Sequence, residues 1–442
     1  MRDIALRERI LSDDTEVGNA ILTRMYREIS SCRICGNTDL DFIVSLGVQS
    51  LTGVFPKRRE DPVLAAPLEL VKCRKAAGDE TCGLVQLKHS CDAAAMYGTT
   101  YGYRSGLNQS MVQHLWARAR GIKEFVPLAP GDLLLDIGSN DSTLLQALDG
   151  PGLQLVGMDP TGVKFQRFYP PHIQLIPDFF SAERFAREQS GKKAKVITSI
   201  AMFYDLDSPL DFMRQVGEVL DDEGIWVFEQ SYLPTMLAQN AYDTICHEHL
   251  EYYALSQIMW MAKRAGLRVL EVERNAVNGG SFCVIAAKEG AGYRPNHRAI
   301  AALLQEEQAF GLDECGVYQR IRERIFRHRG ELLRVLAEAE TRGDGMLGYG
   351  ASTKGNVILQ FCGITPRQLP FIAEVNPDKF GSFTPGTLIP IISEEQAHAM
   401  RPGSFLVLPW HFRDNLIARE REFLAGGGRL IFPLPEIEVV AR

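Results

Sequence analysis

The stretch Tyr242-Asp-Thr-Ile-Cys-His-Glu-His-Leu-Glu-Tyr-Tyr253 packs histidines, carboxylates, tyrosines and a cysteine into twelve residues. Imidazole exchanges protons near neutral pH, so this mixture suits general base chemistry. His247 and His249 are two apart, whereas a zinc-protease pair needs two histidines four apart on one helical face. The other reading is a solvated loop leading into a helix, with the tyrosines packed at its base. The stretch follows a buried strand predicted at 224–230. Open α/β sheets usually place their chemistry just past such strand ends.

A second group points to a metal. Cys32-Arg-Ile-Cys35-Gly36 is a CxxCG turn, and Cys73 and Cys82 follow about forty residues on. Four cysteines in two knuckles suit a closed, structural zinc site. The second knuckle is long, so Cys91 competes as a ligand, and four unrelated buried thiols is the alternative. Nine cysteines in 442 residues are too few for a disulfide framework.

The elements that must position these groups are α/β. Strands are predicted at 132–137, 153–157, 173–176, 195–200 and 224–230, alternating with helices, which implies a parallel sheet. The first strand ends in Asp136-Ile-Gly138-Ser-Asn-Asp141, and Asp159 and Asp178 close the next two. The turn lacks the glycines of GxGxxG, and Asp141 would repel a diphosphate. An acidic turn suits a cationic or zwitterionic ligand. With Asp159 for ribose hydroxyls, Asp178 for an adenine amine and Phe179 against the ring, the set fits S-adenosylmethionine. Asn140, Pro160 and Ala201 belong to the same strand ends. The alternative is that these acids only cap helices. Before this region, Tyr97, Tyr101 and Tyr103 alternate with glycines and lead to Asn108 and a helix. Such a loop either packs or walls a sugar or purine.

The last third reads as a separate α/β unit. Strands at 267–272 and 282–287 finish the first sheet as an antiparallel pair, and 298–341 reads as one long helix. Further strands are predicted at 346–349, 371–375, 405–408 and 429–432. Gly350-Ala-Ser-Thr-Lys-Gly is a glycine turn before a helix, where backbone amides, Ser352, Thr353 and Lys354 make an anion site. A plain glycine turn with a surface lysine is the alternative. Net charge is −7, which gives no electrostatic reason to expect nucleic acid. No run of 18 apolar residues exists, so no membrane span is expected. The charged start lacks an apolar signal core, and a cytoplasmic location is expected.

In order, CxxCG with CGLVQL, YGYRSGLNQSM, LDIGSND, YDTICHEHLEYY and Gly348-Tyr-Gly-Ala-Ser-Thr-Lys-Gly-Asn356 occur along nearly the whole chain. Together they resemble the C-methyltransferases of nucleotide-linked deoxysugars, of which the tylosin-type 3-C-methyltransferases are examples. The resemblance implies a zinc-binding domain over 1–92 and an S-adenosylmethionine-binding, class I Rossmann-like methyltransferase domain over 93–292. A second Rossmann-like domain over 293–442 would help hold a nucleoside-diphosphate-linked 4-keto-6-deoxy sugar. It implies His249 as the base removing the C3 proton, with Glu248 orienting and His247 bonding the substrate. Tyr101, Tyr103 and His247 are the candidate donors to the enolate. Tyr97, Asn108, Ser352, Thr353, Lys354 and Asn356 would contact the sugar nucleotide. Three departures stand out: Cys246 replaces the family's usual tyrosine, the second zinc knuckle is longer, and Ser142 occupies a common glycine position. Rival functions are O- or N-methylation of a similar sugar, nicotinamide-dependent sugar oxidoreduction, and a non-enzymatic nucleotide-binding scaffold. The oligomeric state is not legible.

Overall fold

The computed structural model describes residues 26–76, 78, 80–97 and 103–441. Its centre is a seven-stranded sheet. In chain order the strands are Leu133–Ile137, Gln154–Met158, Ile173–Ile176, Ala194–Ile200, Leu220–Ser231, Leu267–Asn275 and Ser281–Lys288. In space they run sixth, seventh, fifth, fourth, first, second, third. The first five are parallel, and Ser281–Lys288 pairs antiparallel with the strands on either side of it. All five residues of Leu133–Ile137 are buried, as a parallel strand covered on both faces requires. The direction of strand order reverses at this strand, so its carboxyl end opens a crevice.

A four-stranded antiparallel sheet carries the cysteine-rich segment, with Leu40–Ser50, Ala65–Cys73 and Val85–Leu87 side by side. Its fourth strand is Glu251–Tyr252, donated by the histidine-rich stretch. Glu251 lies opposite Gln86, so the two units share one sheet.

The third sheet places Ile391–Ser393, Ile372–Glu374, Met346–Tyr349, Ser404–Val407, Arg429–Phe432 and Glu438–Val440 in that order. All are parallel except the last. Numbered along this unit the order is 3-2-1-4-5-6, the order of a dinucleotide-type fold. Strand boundaries differ from the expected ones by a few residues at most. The exception is 220–231, which begins four residues earlier than the apolar run.

The single helix expected over 298–341 is two, His297–Phe310 and Cys315–Thr341. Gly311 ends the first in the left-handed region at φ 79°, a conformation that glycine adopts without Cβ strain. In the second, Val317, Ile321, Ile325, Leu332, Leu336 and Ala339 bury one stripe at helical spacing. Among the described residues, no helix is long and apolar enough to cross a membrane.

Candidate active site

A cavity of about 330 Å³ opens at the carboxyl ends of the central strands. Gly138, Asn140, Asp159, Pro160, Phe179 and Ala201 line it, together with Tyr97 and Tyr103. Gly138 has φ 75°, and a Cβ there would stand 3.1 Å from Met202 Cγ. The turn therefore needs glycine twice over, for its backbone and for its space. Asp159 is buried, and burial raises its carboxyl above the ordinary value. Its Oδ1 accepts from the Thr161 amide and hydroxyl, and its Oδ2 accepts from the Asn140 amide at 2.7 Å. Oδ2 keeps an open acceptor position. Phe179 is 48% exposed and presents its ring to the cavity.

Three expected cofactor residues stand elsewhere. Asp136 points away from the cavity lining and accepts from Thr198 Oγ1 at 2.6 Å, and burial pushes its carboxyl up to about 7. Asp178 is exposed and caps its neighbour, accepting from the Phe179 amide. Asp141 is buried and accepts from the Gly106 amide and Thr143 Oγ1, with Arg104 Nε at 3.7 Å. Asn140 Oδ1 accepts from the Ser105 amide. The acidic turn thus clamps the segment after Tyr103 across the cavity mouth, and Asp141 is used in that clamp. Ser142 adopts φ 63° and ties its hydroxyl to Phe168 O and Gln146 Nε2. Those bonds hold a non-glycine residue in a conformation that costs about 1–2 kcal/mol.

The histidine-rich stretch is buried and irregular, not a solvated loop. A 3-10 turn Tyr242–Thr244 leads into it and Glu251–Tyr252 ends it. His249 Nδ1 lies 2.9 Å from Thr244 O. A carbonyl only accepts, so Nδ1 carries the hydrogen and Nε2 keeps its lone pair. The ring packs on Tyr204, with centroids 4.2 Å apart. Burial, aided by the Lys354 charge, lowers the imidazole to about 3, so it is neutral at physiological pH. Tyr204 is followed by Asp205, Leu206 and Asp207, all on the cavity wall. His249 therefore packs on the residue that directly precedes that wall.

The neighbours of His249 have other partners. His247 is 1% exposed, and its Nε2 bonds Ala66 O at 3.0 Å. That bond ties the stretch to the cysteine-rich sheet, and Nδ1 is buried without a hydrogen-bond partner. Glu248 Oε2 accepts from Thr52 Oγ1 at 3.1 Å, and burial raises its carboxyl. Tyr101 lies outside the described residues.

The Gly350 turn meets this stretch from the other side. Ser352 Oγ caps the helix Thr353–Cys362 by accepting from the Gly355 amide. Lys354 is not a surface lysine. Its Nζ donates to Asn278 O at 2.7 Å, and burial lowers its pKa. Its charge acts on Asp243, Cys246, His249 and His411. Asn356 is fully buried and donates to Thr52 O, a packing tie between units. A second cavity, about 300 Å³, lies at the strand ends of this unit. Ser352, Glu374, Lys379 and Phe412 line it, and Asn108 reaches it from the central unit. Thus Asn108 and Ser352 share a cavity, whereas Tyr97 faces the first one.

The sulfurs of Cys32, Cys35, Cys73 and Cys82 lie within 4.8 Å of one another. Cys32–Cys82, Cys35–Cys73 and Cys35–Cys82 separations are 3.4, 3.5 and 3.5 Å. A tetrahedron with Zn–S of about 2.3 Å has edges near 3.8 Å, so the set fits zinc after small adjustment. Four sulfurs leave no open position, and the site is structural. Cys91 packs instead with Leu51, Ala66 and Met96.

Comparison with known proteins decides the family. A C-methyltransferase C-terminal domain model matches residues 276–435, a methyltransferase domain model 109–272, and a zinc binding domain model 32–97. C-methyltransferase NovU of Streptomyces niveus is 32% identical over 428 residues, covering 94% of this chain and 98% of its own. The chain belongs to the C-methyltransferase family. Among solved structures, a methyltransferase complexed with the Haloferax volcanii Trm112 activator is 15% identical, covering 41% of this chain and 94% of its own at TM-score 0.34. LepI in complex with SAM is 15% identical, covering 42% and 54% at TM-score 0.32.

This C-methyltransferase is S-adenosylmethionine-dependent and carries a zinc-binding segment. The cavity suits that cofactor: a glycine turn admits close backbone approach, the Asp159 carboxylate lines the wall, and Phe179 offers an aromatic face. Sequence reasoning did not find Asp205, Asp207 or Thr161 in that cavity. The fold brings these three together from distant segments, and no local pattern marks them. Trp410-His-Phe-Arg413 does read from sequence as a contact for the nucleotide or the sugar, lying just past a predicted strand; in the structure Trp410 Nε1 donates to Asp243 Oδ2.

Proposed function

We propose that this C-methyltransferase acts on a nucleoside-diphosphate-linked 4-keto-6-deoxy sugar and methylates C3 through an enolate, in the cytoplasm. The units would divide near 92 and 292, into zinc-binding, cofactor-binding and nucleotide-sugar-binding parts. The observation that carries the reading is the His249–Thr244 bond, which fixes a neutral imidazole with Nε2 free to accept a proton. A proton on a carbon beside a ketone is the acidic one in such a sugar. Because the lowered pKa makes His249 a weak base, removing that proton depends on stabilising the enolate charge as it forms. His249 removes the C3 hydrogen, and the charge passes to the C4 oxygen. Lys354, a half-buried cation acting on the same pocket, stabilises that oxyanion. Here Lys354 serves the sugar ring; the diphosphate is left to the turn amides, Ser352 and the cavity shared with Asn108. When bound in the first cavity, S-adenosylmethionine supplies an electrophilic methyl group. Asp159, Asn140, Gly138 and Phe179 hold and orient it, and the clamped Tyr103–Gly106 segment excludes water.

The test is deuterium exchange. Incubating the enzyme with a 4-keto-6-deoxy sugar nucleotide in D₂O without methyl donor should exchange the C3 hydrogen. His249→Asn should abolish the exchange while still binding the sugar nucleotide. Exchange at wild-type rate in that variant would remove His249 from the role. Oxygen methylation needs no exchange at all, so its absence in the wild type would favour the O-methyl alternative.

A further inference from the structure

Arg33 sits inside the first zinc knuckle, between the ligands Cys32 and Cys35. Loop residues between metal ligands usually point to solvent. Arg33 does not: its side chain is 2% exposed. Its amide and Nη1 both donate to Gln86 Oε1, Nη1 also donates to Leu87 O, and Nη2 donates to Ser90 Oγ at 2.8 Å. Ser90 Oγ in turn donates to Asp207 Oδ1 at 2.8 Å. Nε lies 3.7 Å from Glu251 Oε1 and 3.9 Å from Asp207 Oδ1.

These partners belong to the two parts of the catalytic centre. Asp207 is on the wall of the first cavity, two residues beyond Asp205. Glu251 is two residues beyond His249, and its side chain is fully buried with neither oxygen hydrogen-bonded. Among the described residues, Arg33 is the cation paired with Glu251. The guanidinium therefore spans three things: a loop whose shape the metal sets, the wall of the cofactor cavity, and the strand that follows the base.

We propose that Arg33 is a positioning residue through which the zinc knuckle sets affinity for S-adenosylmethionine. With the knuckle closed, the guanidinium holds Ser90, whose hydroxyl bonds Asp207 Oδ1. Arg27 Nη2 donates to that same oxygen at 2.8 Å from the exposed side, so the Ser90 bond is the link that ties the 205–207 wall to the knuckle. With the metal gone, the Cys32–Cys35 turn loses its shape and releases that wall. This rests on the reading of the first cavity as the cofactor site.

The test is calorimetric titration of the full-length zinc-loaded protein with S-adenosylmethionine. Arg33→Met should weaken binding about tenfold or more, a coupling within the usual range between linked sites. Zinc should stay at one per chain, and kcat at saturating cofactor should change little, so that the defect falls in KM. Stripping zinc with a chelator should weaken the wild type similarly and add little to Arg33→Met. Wild-type affinity in Arg33→Met, or an equal further loss on stripping both proteins, would overturn the proposal. If Arg33→Met does not fold, Ser90→Ala removes only the relay hydroxyl, and unchanged binding there overturns it as well. A parallel Asp159→Asn variant separates the two levels. Unchanged cofactor binding in Asp159→Asn means that the cavity reading has failed and takes the proposal with it. Loss in Asp159→Asn with none in Arg33→Met means that the Arg33 link alone has failed.

Discussion

Trp410 Nε1 donates to Asp243 Oδ2 across 2.7 Å, although the residues are 167 apart in the chain. Both are buried, and Asp243 Oδ1 has no hydrogen-bond partner. The bond fastens the carboxyl end of Ser404–Val407 to the turn that begins the histidine-rich stretch. Trp410→Phe keeps an aromatic ring, removes the donor and leaves a small void where the second ring stood. Leaving a buried carboxylate unbonded costs about 1–3 kcal/mol. The expected result is a lower denaturant midpoint and a raised KM for the sugar nucleotide, with cofactor binding unchanged. A stability curve superimposable on the wild type would show that the bond carries no weight.

The pH dependence of the reaction follows from His249. Its pKa is lowered to about 3, first by burial and then by the Lys354 charge. A base is active when neutral, so His249 is ready at every pH well above that value. The profile of kcat/KM should therefore show no acid limb near 6.5, the ordinary histidine value. Lys354→Met removes the smaller of the two causes, so the His249 pKa rises and the acid limb moves up toward neutrality. The maximal rate should also fall, because the oxyanion loses its cation. A limb at 6.5 in the wild type would mean that His249 titrates as an exposed imidazole.

Zinc content separates the five N-terminal thiols. Cys82→Ser should lower bound zinc below one per chain and destabilise the antiparallel sheet, since structural zinc contributes directly to folding. Cys91→Ser should keep full zinc, because Cys91 belongs to a separate apolar cluster. Metal analysis of both variants by atomic absorption decides the ligand set, and zinc loss in Cys91→Ser would reverse it.

Most strands of the two α/β sheets were legible because they are apolar runs, several ended by glycine, an acid or proline, which is a local signal; the antiparallel sheet of the cysteine-rich segment lacked such runs and was not. The zinc site was legible for a similar reason: CxxCG is local, and its partners only had to be cysteines. Side-chain direction was not legible. Lys354 at a helix N-terminus reads as an anion site, yet docking of that helix on the histidine-rich stretch turns the amine inward. Asp141 and Asp178 read as ligand groups from their position after strands. What they do depends on the Gly106 amide in one case and on solvent in the other. Arg33 gave no signal, since Ser90, Asp207 and Glu251 are brought to it only by the shared sheet. The break at Gly311 was lost within a charged, helix-favouring stretch where one glycine is a weak mark.

Gly53 tests how tightly Glu248 is held. A Cβ at Gly53 would stand 2.6 Å from Glu248 Oε1 and 3.7 Å from Thr353 Oγ1. Gly53 is not in the left-handed region, so alanine suits its backbone and the clash is with side chains alone. Glu248 is buried beside Thr52 and cannot swing into solvent. Gly53→Ala must therefore displace the carboxylate or part the Thr353 helix from the loop. Overpacking of this kind costs about 1–3 kcal/mol. The expected outcome is a folded protein with reduced thermal stability, lowered kcat and normal S-adenosylmethionine affinity. Thr353→Ser beside it leaves the Oγ1 in place and should not rescue, whereas Glu248→Asp shortens the clashing side chain and should restore part of the stability. Full activity in Gly53→Ala would show that the Glu248 carboxylate has room to move without consequence, and its orienting role would fall.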